Sequence, residues 1–263
     1  MIVLFMGDVV GKPGVLAVRT LLPRLIARYR ADLVIANAEN SEGGAGISAE
    51  SAEALLGAEV NLLTSGNHFW TKRQILPWVE THPELLLRPA NYPEGSPGRG
   101  HTVLHTPDGR KLGVLNLEGR VFMKNLDDPF RVGERLVAEL RRTTSCILVD
   151  MHCEASSEKN AMGAWLDGKA SAVVGTHTHV QTADERILPG GTAFITDVGM
   201  CGPLDSVIGI KKEQSIERFL TQRPNQYEVA KNLVYLQGVV VDIDETSGKA
   251  RSITRVREHL PGT

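Results

Sequence analysis

Short apolar runs, each ended by a polar or glycine-containing stretch, recur along this chain. Ile2–Met6 is uninterrupted and rich in branched residues, the pattern of a strand buried on both faces, and it ends at Gly7-Asp8. The period then changes. Val15, Val18, Leu22, Leu25, Ile26 and Tyr29 fall on one helical face, with Pro13 near its start and Pro23 expected to kink or restart the helix. Leu33–Ala38 is a second buried strand, ending at Glu39-Asn40. Ser48 is placed to N-cap a short helix that stops at Gly57, and Asn61–Ser65 is a third strand, ending at Gly66-Asn67-His68. Thr71 and Gln74 form a capping-box pattern that should open the next helix.

The middle of the chain reads as more antiparallel. His101–Thr106 and Lys111–Leu117 flank Pro107-Asp108-Gly109, a hairpin signal, and Asp128-Pro129 should cap a helix running to about Arg142. Cys146–Met151 is another buried strand, ending at His152, and Ala170–Val174 leads to His177 and His179. Gly190-Gly191 turns a hairpin into Thr192–Thr196, and a charged amphipathic helix near 211–222 precedes a final hairpin of about Leu233–Ile243 and Ala250–Arg257. No linker, low-complexity tract or repeat interrupts this order. Parallel units at the front and antiparallel strands at the back predict one domain over residues 1–263, of the α/β class with mixed sheets, arranged as an αββα sandwich.

Composition narrows the partners. The chain has 263 residues, 42% of them hydrophobic, and a formal net charge of -2, so no basic field advertises nucleic acid or a membrane surface. Cys146, Cys153 and Cys201 are odd in number and unpaired in spacing, which argues against a disulfide framework and against a thiolate metal site. The N-terminal stretch lacks a signal-peptide pattern, and no apolar run approaches the roughly 20 residues of a membrane span. A soluble, cytoplasmic protein is expected.

The candidate chemistry lies where the apolar runs end. His177 and His179 follow a buried run, and in an extended segment residues i and i+2 point the same way, so both imidazoles are expected on one face. Asp8, Glu39, Asn40, Asn67, His68 and His152 hold similar positions. Each has a plain alternative: Asp8 as a helix cap, Glu39-Asn40 as a solvated turn, Asn67-His68 as a turn with an exposed histidine, His152 as a satisfied core histidine. Their coincidence at five strand ends, while His82, His101, His105 and His259 follow no pattern, favours a metal site. A mixture of carboxylate and imidazole without thiolate suits iron, manganese or zinc, and two such ions can clamp a phosphoryl group.

The blocks Gly7-Asp8, Gly66-Asn67-His68, His152 and Gly175-Thr176-His177-Thr178-His179 resemble those of the calcineurin-like metallophosphoesterase superfamily, enzymes built on an αββα sandwich. The chain is most similar to the YmdB-like branch, bacterial proteins related to a cyclic-nucleotide phosphodiesterase. The similarity includes Asn37–Asn40, Arg88–Asn91, Leu126–Phe130, Glu154–Lys159, Val174–Asp184 and Thr196–Met200, in order along the whole chain. Two positions depart from the wider superfamily: Val10 stands where a histidine is usual, and Glu39, beside Asn40, replaces a bridging aspartate. The resemblance implies one metal held by Asp8, Glu39, Asn40 and His179. A second would be held by Glu39, Asn67, His152 and His177, with Glu39 bridging. The branch is associated with iron; manganese is the alternative.

The expected reaction is hydrolysis of a small phosphodiester, a 2′,3′- or 3′,5′-cyclic nucleotide, by a metal-bridging hydroxide. His68, next to Asn67, is the expected general acid, since its solution pKa near 6.5 suits proton donation. Arg120, Lys124, Lys159 and Trp70 carry no pattern that places them at a substrate. The rival readings are a phosphomonoesterase or nucleotidase on the same centre, and a regulatory nucleotide- or RNA-binding protein with structural metals. No membrane partner is expected, and a homo-oligomer is compatible with this reading.

Overall fold

The computed structural model describes residues 1–263. In chain order its first half contains β1 (Ile2–Met6), β2 (Asp8–Val9), α1 (Gly11–Tyr29), β3 (Leu33–Asn37), α2 (Ala49–Leu56), β4 (Leu62–Thr64), α3 (Leu76–Thr81), β5 (His101–His105), β6 (Lys111–Glu118) and α4 (Pro129–Leu140). The second half contains β7 (Ile147–His152), α5 (Ser156–Leu166), β8 (Ala172–Thr176), β9 (Arg186–Ile187), β10 (Ala193–Ile195), β11 (Met200–Pro203), α6 (Lys212–Thr221), β12 (Val234–Ile243) and β13 (Ala250–His259).

The strands form two sheets. One has the order β2-β11-β12-β1-β3-β4 with β13 on β12; the other runs β5-β6-β7-β8-β10-β9. Period-two alternation sorts each strand into two layers. Val3 and Phe5 of β1 face the second sheet, where Leu148 of β7 and Val174 of β8 meet them. Leu4 and Met6 point the other way, onto Val18, Leu22 and Leu25 of α1 and onto the α2 and α3 side. Ile147, Val149 and Met151 of β7 pack outward with Leu136, Val137 and Leu140 of α4 and Met162 and Leu166 of α5. Three apolar layers between four structural ones make the αββα sandwich.

The structure corrects several details of the sequence reading. α1 runs through Pro23 as one element. Pro23 sits on the exposed face, where water can take the carbonyl left without an amide partner, while buried Leu21, Leu22 and Leu25 hold the helix against the sheet. Thr71 does not cap the following helix. The chain enters it through a 3₁₀ turn at Arg73–Ile75 whose N-cap, Lys72, has no side-chain cap, with Pro77 in the first turn. The middle of the chain is mostly parallel, since β6, β7, β8 and β10 run side by side, and the late hairpin β12–β13 inserts antiparallel beside β1 in the first sheet. No helix is long and apolar enough to cross a membrane.

Candidate metal centre

At their carboxyl ends the strands change chemistry without changing period. The inter-sheet face of β7 reads Leu148, Asp150, His152; that of β8 reads Ala172, Val174, Thr176; that of β3 reads Leu33, Ile35, Asn37. Asn37, Asp150, His152 and Thr176 are all fully buried. The apolar layer between the sheets therefore ends in a polar floor, and the ligand-type residues stand on it.

That floor orients the imidazoles. Thr176 Oγ1 donates to Asp150 Oδ1 at 2.7 Å, so its remaining capacity is to accept from His152 Nδ1 at 2.9 Å. Thr64 Oγ1 and Asn37 Nδ2 donate to the other Asp150 oxygen at 2.6 and 3.1 Å. Burial pushes the Asp150 carboxyl up to about 7, against the pull of these hydrogen bonds. His179 Nδ1 donates to the Ile208 carbonyl at 2.8 Å, and His177 Nε2 lies 3.0 Å from a Glu154 oxygen. All three rings thus spend one nitrogen on an outer oxygen acceptor and turn the other inward, as metal-ligating histidines do.

The inward atoms crowd together. His152 Nε2 lies 2.9 Å from Asn67 Oδ1, 3.0 Å from His177 Nδ1 and 3.2 Å from Glu39 Oε1. One proton at most can sit on that nitrogen, so it can serve only one of the three atoms that face it. Glu39, His152 and His177 form a group able to hold a metal ion. On the other side His179 Nε2 is 3.1 Å from the Asn40 amide nitrogen and 3.8 Å from Asp8 Oδ1. Asp8 Oδ1 is buried with no hydrogen-bond partner at all. A half-turn of the Asn40 amide would bring its oxygen to the same point, because amide oxygen and nitrogen are assigned from the surrounding network.

The charge balance fits a cation. Burial pushes the Asp8 carboxyl upward, and the buried Glu39 carboxyl is nevertheless drawn down to about 2 by His152. Burial opposes a charged His152, but the two carboxylates push it up to about 9, while burial and that neighbour pull His177 down to about 3. A metal ion beside Asp8 would satisfy its orphaned oxygen and offset the charge that burial disfavours there. The residues present therefore fit metal ions.

Glycines make the convergence possible. A Cβ on Gly66 would lie 2.1 Å from His152 Cδ2, and one on Gly175 would lie 1.8 Å from the Thr196 carbonyl oxygen. From beneath, the Tyr92 hydroxyl supports the Gly66 loop, 3.3 Å from the Gly66 carbonyl and 3.0 Å from Glu118.

All eight sequence-selected residues meet here, with one correction to the reasoning. β8 ends at Thr176, and His177 and His179 have φ of 102° and 64°, so they lie in a left-handed turn rather than on one face of an extended strand. The turn sends His177 toward His152 and His179 toward Asp8. Val10 is buried, and Gly202 and Gly209 pack against it, so a ligand-free position replaces the usual histidine. His68 lines the cleft; its backbone N–H donates to Glu39 Oε2 at 3.1 Å and its Nδ1 is 3.3 Å from Thr71 Oγ1. Burial holds its pKa below 6.5, so the ring is a weaker base than in solution. Lys159 is buried in an ion pair, Lys124 donates to the Asn67 carbonyl, and Trp70 packs edge-on against Phe69. Asp150, Thr176, Glu154 and Asp197 were not foreseen. Asp150 had a visible signal, a carboxylate inside an apolar strand two residues before His152.

The cleft is about 560 Å³ and is lined by Glu39, Asn40, His68, His177 and His179 together with the apolar Ile208, Ile210 and Tyr227. A cleft of about 640 Å³ between β5 and α4 contains none of the ligand residues.

The family model described as YmdB-like protein matches residues 4–256. A 2',3'-cyclic-nucleotide 2'-phosphodiesterase of Bacillus subtilis (strain 168) is 47% identical over 254 residues, which span 97% of this chain and 96% of that protein. Among solved structures, a hypothetical protein from Thermus thermophilus superposes with a TM-score of 0.93 at 42% identity, covering 99% of this chain and 100% of that one. A phosphatase of Mycoplasma pneumoniae superposes with a TM-score of 0.91 at 38% identity, covering 98% of this chain and 93% of that one. The matched span contains every loop of the cluster, so this chain belongs to the YmdB-like protein family.

Proposed function

We propose that this protein is a two-metal phosphodiesterase that hydrolyses cyclic nucleotides, 2′,3′-cyclic nucleotides first, with 3′,5′-cyclic nucleotides as further candidates. The observation that carries this reading is the convergence of ligand-type atoms beside a cleft: the orphaned Asp8 oxygen at one point, and His152 Nε2 crowded by Glu39, Asn67 and His177 at another. Asp8, Glu39, Asn40 and His179 would hold one ion; Glu39, Asn67, His152 and His177 the other, with Glu39 shared. Iron is the proposed metal and manganese the alternative, since the donors are oxygen and imidazole nitrogen. Bound there, the ions would supply a water acidic enough to attack at neutral pH and would offset charge on the phosphoryl oxygens.

The protein's own groups do the rest. The proposed ligands in the cleft would receive the phosphate, and Ile208, Ile210 and Tyr227, which also line it, offer apolar surface to the nucleoside. His68 is the proposed proton donor to the leaving oxygen, placed by its backbone bond to Glu39. Residues 1–263 are read as one domain because the two sheets share the layer that ends in this floor. A cytoplasmic location agrees with three free buried cysteines.

Metal analysis of protein purified without chelator, with a substrate panel, tests the reading. About two metal equivalents and turnover of 2′,3′-cyclic nucleotides are expected. His68→Ala should keep its metal and lose roughly 10²–10³ in rate; Glu39→Ala should lose both metal and activity. A fully metallated, active Glu39→Ala protein would sink the shared-ligand assignment. Faster turnover of a nucleoside monophosphate than of any diester would favour the phosphatase reading, which the Mycoplasma relative's name keeps open.

A further inference from the structure

Lys159 and Asp197 form an ion pair that the proposed chemistry does not use, and both side chains are buried, Nζ to Oδ2 at 2.7 Å. Lys159 comes from α5 and Asp197 from the loop between β10 and β11. Gly175 makes room for the lysine stem, because a Cβ there would lie 2.8 Å from Lys159 Cδ. The same Asp197 oxygen accepts from both Thr178 N–H, at 3.1 Å, and Thr178 Oγ1, at 2.7 Å, while its other oxygen accepts from Gly199 N–H at 2.8 Å.

Thr178 is the residue between the two ligand histidines, which have φ of 102° and 64°. Positive φ is uncommon outside glycine, and the 102° of His177 lies well beyond the left-handed region that histidine does visit, so the surrounding structure helps to hold the turn. If residues 177–179 relaxed to the extended backbone of β8, both imidazoles would point to one side, and the division between His152 and Asp8 would be lost. On the reading of His177 and His179 as ligands to different ions, we propose that the Lys159–Asp197 pair is a positioning device. Lysine fixes the carboxylate, the carboxylate grips Thr178 at its N–H and its hydroxyl, and the gripped turn delivers one imidazole to each ion. Glu154 and Asp197 thereby act on successive residues of this short segment: Glu154 reaches the His177 ring, and Asp197 the Thr178 backbone that follows it.

The test measures Mn2+ stoichiometry and dissociation constants by dialysis with elemental analysis, together with melting of the metal-free protein. Thr178→Val keeps shape at a half-buried position but removes the hydroxyl donor. It should melt with the wild type and bind Mn2+ about tenfold more weakly or worse, with Thr178→Ser restoring affinity. Asp197→Asn combined with Lys159→Met removes the pair without leaving a lone buried charge, and should also reduce the metal bound. Wild-type stoichiometry and affinity in Thr178→Val and in the double variant overturn the proposal. His179→Ala is the control. If it loses metal while those variants do not, the positioning role alone fails; if it too binds as the wild type does, the ligand assignment fails with it.

Discussion

At the scale of single residues, His152 shows how narrowly a ligand side chain is held. Its Nδ1 is fixed by the Thr176 hydroxyl, its Nε2 faces three other ligand atoms, and its ring edge abuts Gly66. Gly66→Ala would drive a methyl to 2.1 Å from Cδ2, so either the ring or the Asn67 loop must move. We expect a loss of about 1–3 kcal/mol in stability, typical of overpacking, and a larger proportional loss of bound metal. Thermal unfolding with metal analysis of the same sample checks both; full metal retention would show that the contact relaxes harmlessly. The residues proposed as ligands stood out in the sequence because a polar residue at the end of an apolar run differs from its neighbours. Lys159 and Asp197 were not, because a charged residue in a loop or helix is ordinarily solvated, and only the tertiary structure brings these two together out of water. Breaking such a buried pair by removing one partner typically costs about 3–5 kcal/mol, which is why the double variant is the cleaner probe.

Elements carry a different lesson. Local signals predicted α2, α4 and the β5–β6 hairpin well, since each has its own start or turn chemistry: Ser48 with Ser51, Asp128 with Pro129, and Gly109 at φ 86°. Asp128 accepts from the Phe130 and Arg131 amides at 2.9 and 3.4 Å. Asp128→Ala should therefore destabilise the protein by about 1 kcal/mol. Activity per folded molecule should be unchanged, because α4 packs on the outer face of the second sheet; urea denaturation beside a rate assay decides this. Where local signals misled, tertiary packing outweighed them. α1 passes through Pro23 because its buried face compensates the missing bond, and β2 and β11 are too short to show a pattern of their own. They exist because Asp8–Val9 pairs in parallel with Met200–Cys201, almost two hundred residues away, a partnership that no local window contains. The same remoteness hid the left-handed turn at His177–His179, whose restraints come from Asp8, Asp197 and Ile208.

Across the whole molecule, the two sheets join at both ends by different means. At one end lies the polar floor and ligand cluster; at the other a charged clasp. There Arg110 reaches Asp32 at 2.6 Å and Glu245 at 2.7 Å, and the N-terminal ammonium reaches Glu245 at 2.8 Å. Burial alone would raise the Asp32 carboxyl, but hydrogen bonds from Arg110 and from Ile2 N–H hold it below its ordinary value of 3.8. A depressed carboxylate stabilises the fold above its unfolded pKa and ceases to as pH falls through the folded one. Arg110→Met should therefore cost about 1 kcal/mol at pH 7, a modest amount because these groups are partly exposed and screened. The gap should narrow below about pH 4, where Asp32 protonates in both proteins. Unfolding curves at pH 7, 4 and 3 check the sign, and a gap that widens toward acid contradicts the assignment.

By itself the sequence determined which residues could be ligands and which layers could form. Those properties depend on residue type and period, and the inter-sheet positions of β3, β7 and β8 turn from apolar to polar within the strands themselves. Only the tertiary structure decided which way these side chains point and what holds them. His177 and His179 part because buried Asp8 and Asp197 hold the backbone of the turn and the Ile208 carbonyl holds the His179 ring. His152 turns Nε2 inward because Asp150, through Thr176, occupies Nδ1. Spacing along the chain sets what can meet; direction at the site is set by hydrogen bonds across it, and those exist only once both sheets have closed.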